Sequence, residues 1–311
     1  MNTKITFKKY KASPFSLESN EVYEEWRDNK LKNYPENTGD LIVEINDPRS
    51  LTYAEHKALL NICRKTNMVI YASKTGSNPA PQIPLSMGYK FGVEDLDHNW
   101  LSDKSGLTSL TVAKEGIRQR FIPYTNNEIH WHTDGYYNTK KKQISALLLH
   151  VVQRAAQGGE NSLMDHEMAY ILLREKNPEY VKALMGEKVM TIPARIDEGK
   201  VARAEESGPV FSINESGDLH MRYTIRVNNV IWSEDPITQE ALKYLNLILN
   251  SDSPYIFKGL LEPGMGLVSN NVLHNRTHFI DDEIHQRHFY RARYYSRLKD
   301  TSILDNNSEL N

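Results

Sequence analysis

Short apolar runs dominate the hydrophobic pattern of the chain, and they predict more strands than helices. Residues 41–45 (LIVEI), 68–73 (MVIYAS) and 144–153 (ISALLLHVVQ) have the length and β-branched content of buried strands. Apolar residues spaced by three and four instead predict a helix over Thr52–Thr66. A second helix is predicted over Met168–Lys176, with Asp165 as a candidate cap.

The remaining pattern indicates a mainly β, α+β chain. Strands are predicted within 106–114, 118–124, 128–134, 255–261, 264–279 and 287–296. The stretch KTGSNPAPQIP (74–84) predicts a loop, and GGENS (158–162) a turn. Many short strands between Gly/Pro turns, with few helices, favour a barrel or jelly-roll with flanking helices. We expect a single domain over 1–311, with an irregular N-terminal extension (1–40) that holds a short helix, and a polar tail (301–311).

Composition narrows the choice of partners. The formal net charge is −2 and 25% of the residues are charged, so the chain has no general attraction for nucleic acid or anionic membranes. One cysteine excludes an intramolecular disulfide and a Cys-rich zinc site. Neither a signal peptide nor a transmembrane stretch is visible. We expect a cytoplasmic protein with a small-molecule partner, and the sequence leaves homo-oligomerisation open.

The stretch NEIHWHTDGYY (127–137) concentrates groups that bind metals. In an extended strand His130, His132 and Asp134 would point to the same face. A histidine and a carboxylate from one strand, joined by a histidine from a distant part of the chain, form the face that holds Fe(II) while leaving coordination positions open. We therefore look for a distant histidine as the third ligand. His274, in SNNVLHNRTHF, stands out because Asn271 and Arg276 flank it.

A second concentration of chemistry lies in QRHFYRARYY (286–295). Arg287, Arg291 and Arg293 would share one face of a strand with Phe289. Burying arginines in an aromatic-rich strand raises the free energy of the folded state unless an anion pairs with them. A dicarboxylate held bidentately by a guanidinium would explain their presence.

Four motifs in order resemble the TauD/TfdA-like Fe(II)/2-oxoglutarate-dependent dioxygenases. They are HTD (132–134), GGEN (158–161), NNVLH (270–274) and RxxxR (287–291), and the resemblance covers about residues 40–295. The helix that follows GGEN is somewhat similar to that of the γ-butyrobetaine hydroxylases, although the Cys-rich zinc module of those enzymes is absent.

The resemblance implies a double-stranded β-helix whose mouth holds iron. His132, Asp134 and His274 match the iron ligands, and Arg287 matches the arginine that clamps the far carboxylate of 2-oxoglutarate. Asn161 and Ser162 stand near the family's usual threonine, so either is expected to contact the co-substrate. The implied reaction uses O₂ and converts 2-oxoglutarate to succinate and CO₂ while a small polar metabolite, such as an amino acid, amine or carboxylate, is hydroxylated. Desaturation and C–heteroatom cleavage stay open.

Several residues keep two interpretations. His130 is a rival ligand of cupin type, but the glutamate which that pattern needs is missing from 133–138, so we expect a supporting role. Arg291 is expected either to bind the co-substrate or substrate or to pair with an acidic neighbour. Trp131, Tyr136 and Tyr137 line a substrate pocket or belong to the core. Arg222 and Arg226 either reach the pocket or lie at a solvated strand edge, and we expect the strand edge.

Two other function classes compete with the oxygenase. One is a non-catalytic metal- or metabolite-binding relative of the same fold. The other is a cupin-like metalloenzyme that works without 2-oxoglutarate. Arg287 counts against both, because neither needs a clamp for a dicarboxylate.

Overall fold

The computed structural model describes residues 13–18, 20–98, 103, 106–197, 200–226 and 230–303. The helices are α1 (Asn20–Leu31), α2 (Tyr53–Thr66), α3 (Gln82–Lys90), α4 (His166–Lys176), α5 (Pro178–Leu184) and α6 (Pro236–Leu249). The strands are β1 (Ile42–Ile45), β2 (Met68–Ser73), β3 (Thr108–Leu110), β4 (Ile129–His132), β5 (Ala146–Gln153), β6 (Gln157–Gly158), β7 (Asn161–Met164), β8 (Met190–Ile192), β9 (Arg195–Asp197), β10 (Lys200–Arg203), β11 (Glu206–Gly208), β12 (Phe211–Ile213), β13 (Leu219–Met221), β14 (Ile231–Trp232), β15 (Phe257–Gly259), β16 (Met265–Ser269), β17 (Leu273–Arg276), β18 (Phe279–Ile280) and β19 (His288–Tyr294).

Two sheets face each other and enclose the site. The larger has the strand order β1-β2-β16-β5-β19-β3, and the smaller has the order β15-β7-β17-β4. Neighbouring strands are antiparallel except β1 and β2, which are parallel. Side chains from the inner faces of both sheets share one core, which includes Leu149, Leu163, Leu267 and Phe289. This is the sandwich of short strands that the turn-rich pattern predicts.

Helices pack on both sides of the larger sheet. Leu59 and Met87, from α2 and α3, pack on the outer face of the larger sheet against Tyr71, Leu148 and Tyr294. Helices α4 and α6 instead join the core that contains the inner faces. In the part of the chain that the structure describes, no helix combines the length and apolarity needed to cross a membrane.

Three segments differ from their predicted structure. The loop predicted over 74–84 gives way to α3 at Gln82. The strand predicted over 118–124 is instead two 3₁₀ helices, Ile117–Arg120 and Ile122–Tyr124. The turn predicted over GGENS is shorter, because Gly158 ends β6 and Asn161 begins β7, so only Gly159 and Glu160 lie between the two strands. In each case long-range packing overrides a short local pattern that fits more than one structure.

The two chain ends contribute to the core where they are described. Phe15 is fully buried and packs edge-to-face on Trp26 of α1, with ring centroids 4.7 Å apart. Thr301 and Ile303 are also buried. The rest of the predicted polar tail, 304–311, lies outside the described residues, as do residues 1–12 of the predicted extension.

A buried ion cluster ties α1 to the start of α4. Asp165 caps α4, as predicted, by accepting a hydrogen bond from the Glu167 amide at 2.9 Å. Lys30 Nζ lies 2.7 Å from the same carboxylate and also contacts Glu167. All three side chains are almost fully buried, so Lys30 is a shared counter-ion for two carboxylates that are nearly inaccessible to water.

Replacing Lys30 with alanine should therefore be strongly destabilising. The change leaves Asp165 and Glu167 buried without a counter-ion, which typically costs about 3–5 kcal/mol of the free energy of unfolding. Urea unfolding followed by circular dichroism measures this loss. Lys182→Ala is the matched control, because its ion pair with Glu179 is exposed and should contribute little. Equal effects of the two changes would contradict the role given to Lys30.

Candidate metal centre

Strand pairing brings the two histidines of the site together. His132 ends β4 and His274 lies on β17, and the two residues are direct partners in the antiparallel register. Their ring centroids are 4.2 Å apart. Asp134 follows β4 by two residues, and one possible ligand atom from each of the three residues lies within 4.8 Å of the others.

Backbone carbonyls orient both imidazole rings. The Nδ1 atom of His132 lies 2.9 Å from the carbonyl oxygen of His130. His274 repeats the arrangement with Val272, also at 2.9 Å. Because a carbonyl only accepts, each Nδ1 carries the hydrogen and donates it, which leaves the Nε2 lone pair for a metal. His130 thus contributes through its backbone.

Asn271 holds the aspartate in place. The Asp134 amide donates to Asn271 Oδ1 at 2.8 Å, and Asn271 Nδ2 donates back to the Asp134 carbonyl at 2.9 Å. Asn271 itself has a positive φ of 52°, which asparagine tolerates better than most residues. Gly135 also has a positive φ, and a Cβ there would lie 2.4 Å from Ile144 Cγ1, so glycine is required after Asp134.

The charges around the cluster favour metal-binding protonation states. Burial by itself would raise the pKa of Asp134. Arg291 Nη1 lies 3.3 Å from Asp134 Oδ2. Its charge, together with the contact from His132, outweighs burial and holds the pKa of Asp134 well below its usual range. Burial lowers the pKa of His274 to about 4. At neutral pH the carboxylate is therefore ionised and His274 is neutral.

The donor set fits a divalent iron ion. Asp134 Oδ2 is buried and has no hydrogen-bond partner in the described residues, so a coordination partner would satisfy it. Two imidazole nitrogens and one carboxylate oxygen on one side of a cluster are the donors that Fe(II) oxygenases use, with positions left open for other ligands. His132, Asp134 and His274 could hold this ion.

Arg287 is a buried cation without a carboxylate partner. Its side chain packs between two aromatic rings, with Cζ 3.7 Å from the Phe289 centroid and 5.2 Å from that of Phe279. The Arg287 amide donates to Asp281, but no carboxylate of the described residues forms an ion pair with the guanidinium, and Nε is buried without a partner. Burial, together with the charge of Arg276, lowers the pKa of Arg287 to about 9. An anionic ligand would remove this penalty.

A cavity of about 40 Å³ adjoins His274 between the two sheets. Its walls are mostly apolar, and their polar side chains are those of Thr38, Asn161 and His274. Asn161 donates to the Asn275 carbonyl at 3.0 Å, while its Oδ1 is buried without a partner. Ser162 is the next residue along β7 and so points to the opposite face, and it does not line this cavity. Of the two predicted co-substrate contacts, the structure brings only Asn161 to the cavity.

The other predicted residues lie in different surroundings. His130 has a side chain that is 55% exposed and lies near Glu128, away from the cluster. Trp131 is buried in the core and, by strand alternation, points away from His132. Tyr136 and Tyr137 pack edge-to-face with centroids 5.2 Å apart.

The prediction made for the surroundings of Arg222 is wrong. It is buried, where a solvated strand edge was expected. Its guanidinium donates to the carbonyls of Tyr136, Met190 and Glu206 at 2.6, 2.9 and 3.0 Å. Since these acceptors come from three separate segments, only the tertiary structure could reveal this role.

The family model described as "Taurine catabolism dioxygenase TauD, TfdA family" matches residues 88–293. The chain therefore belongs to the TauD/TfdA family, and the resemblance drawn from its motifs is confirmed. A curated relative, the uridine-5'-phosphate dioxygenase of Amycolatopsis sp., is 32% identical over 174 residues, which cover 53% of this chain. The match spans 60% of the length of that relative.

Solved structures with the same fold are distant in sequence. An asparagine oxygenase in complex with Fe(II), (2S,3S)-3-hydroxyasparagine and succinate has a TM-score of 0.57 and 14% identity, covering 93% of this chain and 87% of its own. A taurine dioxygenase from Burkholderia xenovorans has a TM-score of 0.54 and 13% identity, covering 84% and 89%. These neighbours confirm the mainly β jelly-roll with flanking helices.

The two histidines of the HWH stretch should differ in their effect on metal binding. His130→Gln keeps the backbone carbonyl that orients His132, so the variant should retain full iron binding per chain. His132→Gln removes one of the three donors and should lose most of the iron. Iron per chain after anaerobic reconstitution separates the two cases. Loss of iron in His130→Gln with retention in His132→Gln would show that the cluster is misassigned.

Proposed function

We propose that the protein is an Fe(II)- and 2-oxoglutarate-dependent oxygenase. The observation that carries this proposal is the pairing of two features in one barrel. A His–Asp–His cluster offers donors for a divalent metal, and the buried Arg287 needs an anion. Family membership and the iron- and succinate-bound asparagine oxygenase neighbour support it. A cupin-like site is disfavoured because the His130 side chain is exposed.

His132, Asp134 and His274 would hold the iron. When bound there, Fe(II) supplies activation of O₂, which couples the conversion of 2-oxoglutarate to succinate and CO₂ with oxidation of the substrate. Asn271 keeps Asp134 aimed at the cluster, and the carbonyls of His130 and Val272 keep both Nε2 atoms free of hydrogen.

Arg287 would bind the far carboxylate of 2-oxoglutarate. Its planar guanidinium suits two parallel hydrogen bonds to a carboxylate, and the rings of Phe279 and Phe289 restrict its orientation. Asn161 lines the cavity next to His274, so it is placed to contact the same co-substrate. The apolar walls of that cavity would keep water away.

Arg291 lies between the co-substrate and substrate regions. Its contact with Asp134 keeps the carboxylate ionised, and this is the pairing with an acidic neighbour that the sequence left as one alternative. The remaining guanidinium donors are available to an anionic group bound beside the metal. We assign Arg291 this second role as part of the proposal.

The substrate would be a small polar metabolite. The relatives carry the names of enzymes that act on asparagine, taurine and uridine 5'-phosphate, all of which are small and polar. Hydroxylation is the reaction that we favour. We also propose that residues 1–311 act as one domain and that the enzyme works in the cytoplasm, where its single, buried Cys63 stays reduced.

The reaction class can be tested without knowing the substrate. The iron-loaded protein should release succinate slowly from 2-oxoglutarate and O₂ alone. Asp134→Ala should abolish this release, because it removes a donor of the cluster. His285→Ala changes an exposed histidine and serves as a control that should keep the activity. If no iron-dependent succinate forms after anaerobic reconstitution, the proposed function is wrong.

Arg287 separates co-substrate binding from metal binding. Arg287→Ala should weaken 2-oxoglutarate binding by at least about tenfold and leave iron affinity nearly unchanged. Arg287→Lys should recover only part of this loss, because an ammonium group lacks the two-pronged geometry. Calorimetric titration of 2-oxoglutarate measures both, with Arg49→Ala, at an exposed arginine, as the control. Loss in Arg291→Ala or Arg293→Ala instead would show that the clamp is a different arginine.

A further inference from the structure

A cluster of cations and tyrosines lies beside the metal centre, and apart from Arg291 its members have no role in the chemistry described so far. We call it the arginine–tyrosine cluster, and it consists of Tyr124, Tyr137, Arg203, Arg291 and Arg293. These residues come from four separate segments of the chain, and the sequence singled out Tyr137, Arg291 and Arg293 but neither Tyr124 nor Arg203.

Contacts connect the cluster to the metal centre step by step. Arg291 touches Asp134, and Arg293 is two residues further along the same face of β19. Arg293 donates to the Tyr137 hydroxyl at 2.9 Å. The guanidinium carbon of Arg203 then lies 5.6 Å from the centroid of the Tyr137 ring. A ligand held by Arg203 would therefore be close to the substrate side of the metal centre.

Arg203 lacks the partner that such a cation usually has. Its Nη2 donates to the Pro193 carbonyl at 2.7 Å, but its Nε is buried with no hydrogen-bond partner among the described residues. No carboxylate in the described ranges forms an ion pair with it. The register of β9 and β10 also places Arg195 directly opposite Arg203. Two like charges in this position repel each other, and an anion would relieve the repulsion.

Tyr124 supplies an unused hydrogen-bond donor. The residue is 2% exposed, and its hydroxyl has no partner in the described part of the chain. Burial raises the pKa of Tyr124 although the charge of Arg291 opposes this, so the hydroxyl keeps its hydrogen at neutral pH. A buried hydroxyl close to Arg291 and Arg293 would be satisfied by an anionic acceptor.

The charges and donor positions of the cluster favour an anionic ligand with several oxygens. Arg293 is paired with Asp97, and Arg291 contacts Asp134, which would also coordinate the metal. Arg203 remains without a carboxylate. A carboxylate ligand offers two oxygens in one plane, whereas a phosphate offers three oxygens in different directions, which suits donors that come from separate segments.

We propose that the arginine–tyrosine cluster binds the phosphate group of a phosphomonoester substrate, with Arg203 as a direct ligand and the Tyr124 hydroxyl as a second donor. This inference rests on the proposed function, since the phosphorylated molecule is the one that would be oxidised at the metal centre. The rings of Tyr136 and Tyr137 give the same site apolar surface for the organic part of the substrate.

Binding of uridine 5'-phosphate and of uridine tests the proposal. Both are titrated calorimetrically into the anaerobic protein loaded with Fe(II) and 2-oxoglutarate. The phosphate-bearing molecule should bind at least about tenfold more tightly than uridine. Arg203→Gln should remove this difference, Arg203→Lys should keep part of it, and Tyr124→Phe should reduce it by a smaller factor. Arg154→Gln, which changes a surface arginine paired with Glu262, should leave it unchanged.

The outcomes separate this proposal from the proposed function. Equal affinity for the nucleotide and for uridine overturns the phosphate site, as does a preference that survives in Arg203→Gln. Iron per chain and the melting temperature of each variant show that it is folded. Phosphate-dependent binding that requires Arg203, in a protein that never forms succinate, would support the phosphate site and overturn the oxygenase. Succinate release without phosphate-dependent binding would do the reverse.

Discussion

The antiparallel pairing of β4 with β17 is the constraint on which the site depends. It places His132 directly opposite His274, so two residues that are far apart in the chain become neighbours through backbone hydrogen bonds. The same pairing brings the Asn271 amide to the turn after β4, where it holds the backbone of Asp134 from both sides. A slip of one residue in this register would turn one histidine to the opposite face.

Buried positive charge is the second theme of the structure. Arg291 and Arg293 lie on the face of β19 that points between the sheets, and Arg287 immediately precedes this strand; each has a different electrostatic environment. Arg293 is paired with Asp97 and Arg291 contacts Asp134, whereas Arg287 lies between aromatic rings and forms no ion pair with a carboxylate of the described residues. An unpaired buried cation is unfavourable in the free protein, and this is the physical reason for proposing that Arg287 binds an anion. We make the same proposal, an anionic ligand, for Arg203 on the substrate side of the metal centre.

Orientation of the site depends largely on backbone carbonyls. Both histidines use a carbonyl two residues earlier, and Arg222 donates to carbonyls from three different segments. A carbonyl changes neither its charge nor its protonation state with pH, so it is a stable reference for an imidazole tautomer. Side-chain substitutions next to the cluster, such as those at His130, should consequently be tolerated better than changes in strand register.

The sequence by itself determined the local chemistry. Strand alternation put Arg287, Phe289, Arg291 and Arg293 on one face, and Asp165 capped its helix as the pattern predicts. The spacing of HWHTD supplied two of the three proposed metal donors. The sequence also singled out His274, but only the tertiary structure placed it directly opposite His132. The tertiary structure alone decided that residues 118–124 lie in 3₁₀ helices that bury Tyr124, and that Arg203 reaches the Tyr137 ring. Periodicity reports which side of an element is buried, but a contact between distant segments depends on how several elements pack together, and no local pattern encodes that.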